Sequence, residues 1–140
     1  MKKLKYVVIC LLLVLVVGCG KEKKYEYTSE NTKEKVVVTV KGDYTLSDKE
    51  PVKVMSGEEE KATIIFITKE NYDQLKELFN NKTLIAMEEG KKGSNEYYLY
   101  KVSDDYNFVL LINDSNTGVA LTSKSEETTK KLADELSFSK

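Results

Sequence analysis

Residues 62–81, ATIIFITKENYDQLKELFNN, change period halfway along, and that change sets the fold class. Ala62–Ile67 is apolar on both faces, as a strand in the middle of a sheet must be. Thr68 then offers a side-chain oxygen to the free amides of a first helical turn. Tyr72, Leu75, Leu78 and Phe79 recur at spacings of three and four, which draws one apolar stripe along a helix, and Asn80-Asn81 ends it. A strand that feeds a one-sided helix points to a layered fold in which the stripe packs on the sheet.

Working outward, Thr83–Met87 (TLIAM), Glu96–Val102 (EYYLYKV), Phe108–Ile112 (FVLLI) and Val119–Thr122 read as strands. Gly- and Asp-rich turns separate them, so neighbours are expected to pair as antiparallel hairpins. Ser123-Lys124-Ser125-Glu126 fits a capping box, and the closing helix is expected to place Thr129, Leu132, Ala133 and Leu136 on one face. Toward the N-terminus, Val36–Val40 is a β-branched strand, and Lys41-Gly42-Asp43 is a turn before a short strand at Tyr44–Leu46. Pro51 precedes the alternating Val52–Met55, and Ser56-Gly57 with Glu58–Glu60 makes an exposed turn. The expected fold is α+β: an antiparallel sheet of about six to seven strands with two helices packed on one face. Phe79 and Leu132 are its expected helix anchors. In order of elements the chain is loosely similar to the PsbP/Mog1-like family of small α+β proteins, some of which are bacterial lipoproteins.

The first residues carry a different signal. Lys2, Lys3 and Lys5 precede a charge-free stretch, Tyr6–Val17. As a helix it would reach only about 18 Å, short of the ~30 Å hydrocarbon core, so a cleaved signal fits better than a span. Val16-Val17-Gly18-Cys19 follows and resembles the lipobox of bacterial lipoproteins. That resemblance implies cleavage before Cys19, a lipid on Cys19, and attachment to the cell membrane on its outer, extracytoplasmic face. Two or more acyl chains hold stably where a single one holds only marginally. The expected organisation is a signal peptide at 1–18, a lipidated N-terminus and flexible tether at 19–35, and one α+β domain at 36–140; Tyr25 and Tyr27 alternate in strand fashion, so pairing of part of the tether with a sheet edge is the alternative.

Cleavage would leave 19 Lys against 23 Asp plus Glu, a balance of −4, which speaks against nucleic acid as a partner. Cys10 would leave with the signal and Cys19 would be capped, so the domain must hold by packing without a disulfide. All 22 basic residues are Lys; Arg, His and Trp are absent. That removes the imidazole base, the commonest metal ligand and the bidentate phosphate clamp.

What remains yields no catalytic, cofactor or metal site. Asp114-Ser115-Asn116-Thr117-Gly118 alternates oxygens as calcium loops do, but position twelve is Ser125 where a bidentate Glu is needed, so a hairpin turn is expected. Glu88-Glu89 and Asp104-Asp105 read as solvated turn acids rather than opposed catalytic carboxylates. Ser94 and Ser103 lie in turns without a hydrolase signature. Strand alternation sends Tyr98 and Tyr100 to one face, where they are the expected partner surface, since tyrosine is favoured at interfaces. The expected function is a non-enzymatic, membrane-anchored binding or adaptor module, with another envelope protein as its expected partner. The alternative is a carrier for a small apolar ligand held between sheet and helices.

Overall fold

β5 (Glu59–Thr68) is the strand from which the larger sheet grows. The computed structural model describes residues 22–140. β4 (Val52–Ser56) folds back on β5 through Gly57, whose φ of 64° suits a residue without a Cβ. Thr68 passes the chain directly into α1 (Lys69–Asn80), its hydroxyl accepting from the Asn71 N–H at 3.0 Å. The helix stops at Asn81, whose N–H reaches back to the Glu77 carbonyl.

Four strands follow as a meander: β6 (Ala86–Lys92), β7 (Asn95–Val102), β8 (Asp105–Leu111) and β9 (Thr117–Ser123). β9 returns to pair with β5 from Thr63↔Thr122 to Thr68↔Thr117. With the short β3 (Thr45–Leu46), the order is β3-β4-β5-β9-β8-β7-β6, with every pairing antiparallel. β6 begins later than the apolar run TLIAM. The amides of Thr83 and Leu84 both bond to the Leu78 carbonyl, which ties that run to the helix end.

A second sheet covers part of this one. β1 (Glu22–Thr28), β2 (Lys35–Lys41) and β10 (Leu136–Ser139) pair antiparallel in the order β1-β2-β10. Glu22–Thr28 belongs to the stretch read as a tether, and here the sequence reading needs correction. Tyr25 and Tyr27 alternate with charged residues, and their buried rings belong to the same core as Val36, Val38 and Val40 of β2. α2 (Glu126–Glu135) is capped by Ser125, two residues after the serine of the expected capping box; its hydroxyl accepts from the Thr128 N–H at 3.2 Å. Leu136, expected on the helix, already belongs to β10, where it pairs with Val40.

The α+β class and the seven-stranded antiparallel sheet stand as expected. The two helices do not share a face, however. Along β7, Tyr98 and Tyr100 belong to the cluster under α1, whereas Tyr97 and Leu99 join the core under α2 and the small sheet. Both faces of the strand are apolar, so each needs a cover. α1 supplies one through Tyr72 and Phe79, each contributing roughly 1.5–3 kcal/mol by burial. Leu132 and Ala133 of α2, with the inward valines of β2, supply the other. Phe79 and Leu132 are thus both buried anchors, as the stripes predict.

Candidate functional site

Tyr98 and Tyr100 are not a partner surface. They are 7% and 8% exposed, beneath α1. Phe79 stacks on Tyr98 with ring centroids 4.4 Å apart and meets Tyr100 edge-on at 5.1 Å. Alternation put both rings on one face, as expected, but the apolar stripe of α1 needs the same face. Burial raises the phenol pKa of both. Tyr72 is raised furthest, by burial and then by the Glu96 carboxylate to which its hydroxyl donates at 3.1 Å. Lys76 closes the cluster with a 3.0 Å ion pair to Glu96, whose hydrogen bond raises the lysine pKa. The arrangement locks α1 onto β7 and leaves the interval between helix and sheet filled with rings.

The remaining residues singled out from the sequence are spread over the fold rather than brought together. Cys19 lies outside the described residues. Glu88 accepts from the Tyr97 hydroxyl at 2.8 Å, and Asp105 pairs with Lys124 at 2.6 Å. Ser103 sits in the β7–β8 turn at φ 56°. Residues 114–118 form the β8–β9 hairpin turn and enter β9, as expected, and the turn has an unforeseen partner. Glu34, from the β1–β2 connection, places one oxygen where three donors converge: Thr117 Oγ1 at 2.7 Å, Ser115 Oγ at 2.8 Å and the Asn116 N–H at 2.9 Å. Those bonds, led by Thr117 and Ser115, lower the Glu34 pKa. Among the described residues, no group of three or more His, Cys, Asp or Glu is placed to hold a metal ion.

Ser94 borders the larger of two neighbouring grooves. A groove of about 770 Å³ runs between β10 and the β6–β7 hairpin. Leu110, Ile112, Leu136 and Phe138 give it an apolar lining, and Lys91, Lys92 and Lys140 bring positive charge. Lys92 bonds to Asp134 at 2.8 Å, and the Lys140 ammonium donates to the Asp114 carbonyl while its charge helps lower the Glu34 pKa; among the described residues Lys91 has no ion-pair partner. Asn95 spans one end: its Nδ2 donates to the Phe138 carbonyl at 2.9 Å and its Oδ1 accepts from the Asn113 N–H at 2.8 Å.

A neighbouring groove of about 550 Å³ contains the pairs Lys69–Asp73 and Lys76–Glu96. Lys91 borders both grooves. The β10 groove was not read from the sequence, although a signal was present: Leu136-Ser137-Phe138-Ser139 alternates with a period of two immediately after the helix.

No protein-family model, curated protein or solved structure matches the chain.

Proposed function

We propose that this chain is a non-enzymatic binding module held at the outer face of the cell membrane by lipid on Cys19. The observation that carries the binding reading is the 770 Å³ groove beside β10, open at the surface and bordered by three lysines against one aspartate. An adaptor recognises its partner on such a surface. A carrier of an apolar ligand needs room between helix and sheet, and under α1 that interval holds Phe79, Tyr98 and Tyr100 in ring contact. Of the acids noted in the sequence, Glu88 holds Tyr97 and Asp105 holds Lys124.

The anchor reading rests on the Val16–Cys19 pattern, and the fold adds a consequence. Only residues 20 and 21 separate Cys19 from β1, a link of at most about 11 Å. A lipidated Cys19 would therefore hold the folded domain close to the headgroups. No described helix is long and apolar enough to cross a membrane.

Labelling cells with an alkyne fatty acid tests the anchor. Label is expected on the wild-type chain and lost in Cys19→Ser, and mass spectrometry showing an unmodified Cys19 thiol on the membrane-bound form overturns it. A photocrosslinking residue at Ser94 tests the binding site. It is expected to capture an envelope protein, whereas adducts only at positions on the far side of α1 would move the binding surface there.

A further inference from the structure

We propose that the outer edge of β10 docks an extended acidic peptide segment, which joins the small sheet as a fourth strand along the groove. This deepens the binding-module reading and rests on it.

The order β1-β2-β10 leaves one side of β10 without a strand. Which backbone groups face that side follows from two hydrogen bonds. The Leu136 N–H bonds to the Leu132 carbonyl of α2, and the Phe138 carbonyl accepts from Asn95. Neither partner is in β2. Residues two apart in a strand direct their N–H and C=O to the same edge, so Leu136 and Phe138 both turn theirs away from β2. With the Leu136 N–H and the Phe138 C=O engaged, the pair left facing the groove is the Leu136 C=O and the Phe138 N–H.

That pair has a definite geometry. In a parallel ladder, one residue of the incoming strand donates to the carbonyl of residue i−1 and accepts from the amide of residue i+1. Here Ser137 is residue i. In an antiparallel ladder the same two groups serve the non-hydrogen-bonded pair at Ser137, so they accept a guest strand running in either direction. The free pair thus offers an incoming strand two main-chain bonds, a mode of recognition that takes affinity from the backbone.

The other edges are guarded against such pairing. β3 is two residues long, and β6 carries Glu88, Glu89 and Lys91 with a bulge between Ala86 and Glu88. On β1, Lys24 and Glu26 are exposed, and Glu26 pairs with Lys35. β10 exposes only Ser137 and Ser139 between its buried residues. Charge then chooses the guest. Three lysines against Asp134 border the groove; Lys92 pairs with Asp134 and Lys140 with the Asp114 carbonyl and the Glu34 charge, which leaves Lys91 without an ion-pair partner among the described residues. Acidic side chains on the guest would answer that charge.

The probes are acetyl-(Glu-Val)4-amide and, with the opposite charge, acetyl-(Lys-Val)4-amide. Each is titrated into the full chain in neutral phosphatidylcholine nanodiscs and followed by amide NMR and hydrogen exchange. The acidic peptide is expected to shift and protect the Phe138 amide, and the basic one to leave it unchanged. Lys91→Glu should weaken the acidic peptide by about fivefold or more. Melting temperature should hold, because the side chain is at the surface.

Equal response to the two peptides, protection confined to another strand, or no response to the acidic peptide overturns the β10 assignment. The binding-module reading fails on a separate result, namely photocrosslinkers scanned across the domain surface that capture no envelope protein in cells. A partner captured elsewhere, with no peptide effect at Phe138, sinks the β10 edge alone.

Discussion

The two faces of the seven-stranded sheet are covered in different ways. On one, a single helix that begins where β5 ends lays Tyr72 and Phe79 over Tyr98, Tyr100 and Val109. On the other, β1, β2, α2 and β10, drawn from both ends of the described chain, close a larger core through Val36, Val38, Val40, Leu132 and Phe138. The first cover is local in sequence and aromatic. The second needs distant segments to meet and is mostly aliphatic. A local cover forms with little loop-closure cost, whereas a distant one must recover that cost through the area it buries.

Substitution in the distant cover should have the largest effect. Leu132 is fully buried, and Leu132→Ala is expected to cost about 3–5 kcal/mol by lost transfer energy and a cavity. In hydrogen exchange, the amides of β1, β2 and β10 should lose protection together. If the β7 amides lose it equally, the two covers are one cooperative unit and the contrast between them fails. Phe79→Ala should cost about 3 kcal/mol. Urea denaturation would measure it, and the lost protection should concentrate in α1 and β7 rather than in the small sheet.

A third substitution probes the β5–β9 junction where α1 departs. A Cβ on Gly118 would stand 2.9 Å from Ile67 Cγ1 and 3.1 Å from the Leu110 carbonyl oxygen. Ile67 can shift; the backbone oxygen cannot without moving β8. Gly118→Ala is therefore expected to destabilise by about 1–3 kcal/mol, read as a lower melting temperature.

The smallest effect should come from the contact between the β1–β2 connection and the β8–β9 hairpin. The folded-state pKa of Glu34 is depressed, so its contribution is present above the unfolded value and is lost as pH falls through the folded one. Stability should thus decline below about pH 4.5, the ordinary value for this carboxyl. Glu34→Gln removes that titration, flattening the acid limb at a cost of about 1 kcal/mol at neutral pH. An acid limb identical in the two proteins would assign the titration to other carboxylates.

Much of the fold was legible from local pattern. The switch from ATIIFI to a Thr-capped apolar stripe specified β5 and α1, and the turn-separated apolar runs specified β7, β8 and β9. Where several segments compete for one surface, pattern was not enough. Tyr98 and Tyr100 were rightly placed on a common face, but whether a face meets solvent or a helix depends on which helix arrives there. Tyr25 and Tyr27 sit in a charge-rich stretch that resembles a tether until β2 offers it an edge and the sheet beneath offers its rings a core. For the same reason the groove escaped notice: its two walls, at residues 91–95 and 136–140, are brought together only by the packing of one sheet on another.

The sequence by itself determined the α+β class, the helix faces with Phe79 and Leu132 as anchors, the Thr68 cap, and the turn at 114–116. These follow from periodicity and capping within a few residues, where the interacting groups are chain neighbours. Tertiary structure alone decided that the helices take opposite faces, that the stretch before Val36 includes a strand, and that β10 ends a sheet with its Leu136 and Phe138 backbone groups turned outward. Those outcomes depend on which apolar surface finds which cover, and that competition is settled by burial between segments up to a hundred residues apart, such as β2 and β10.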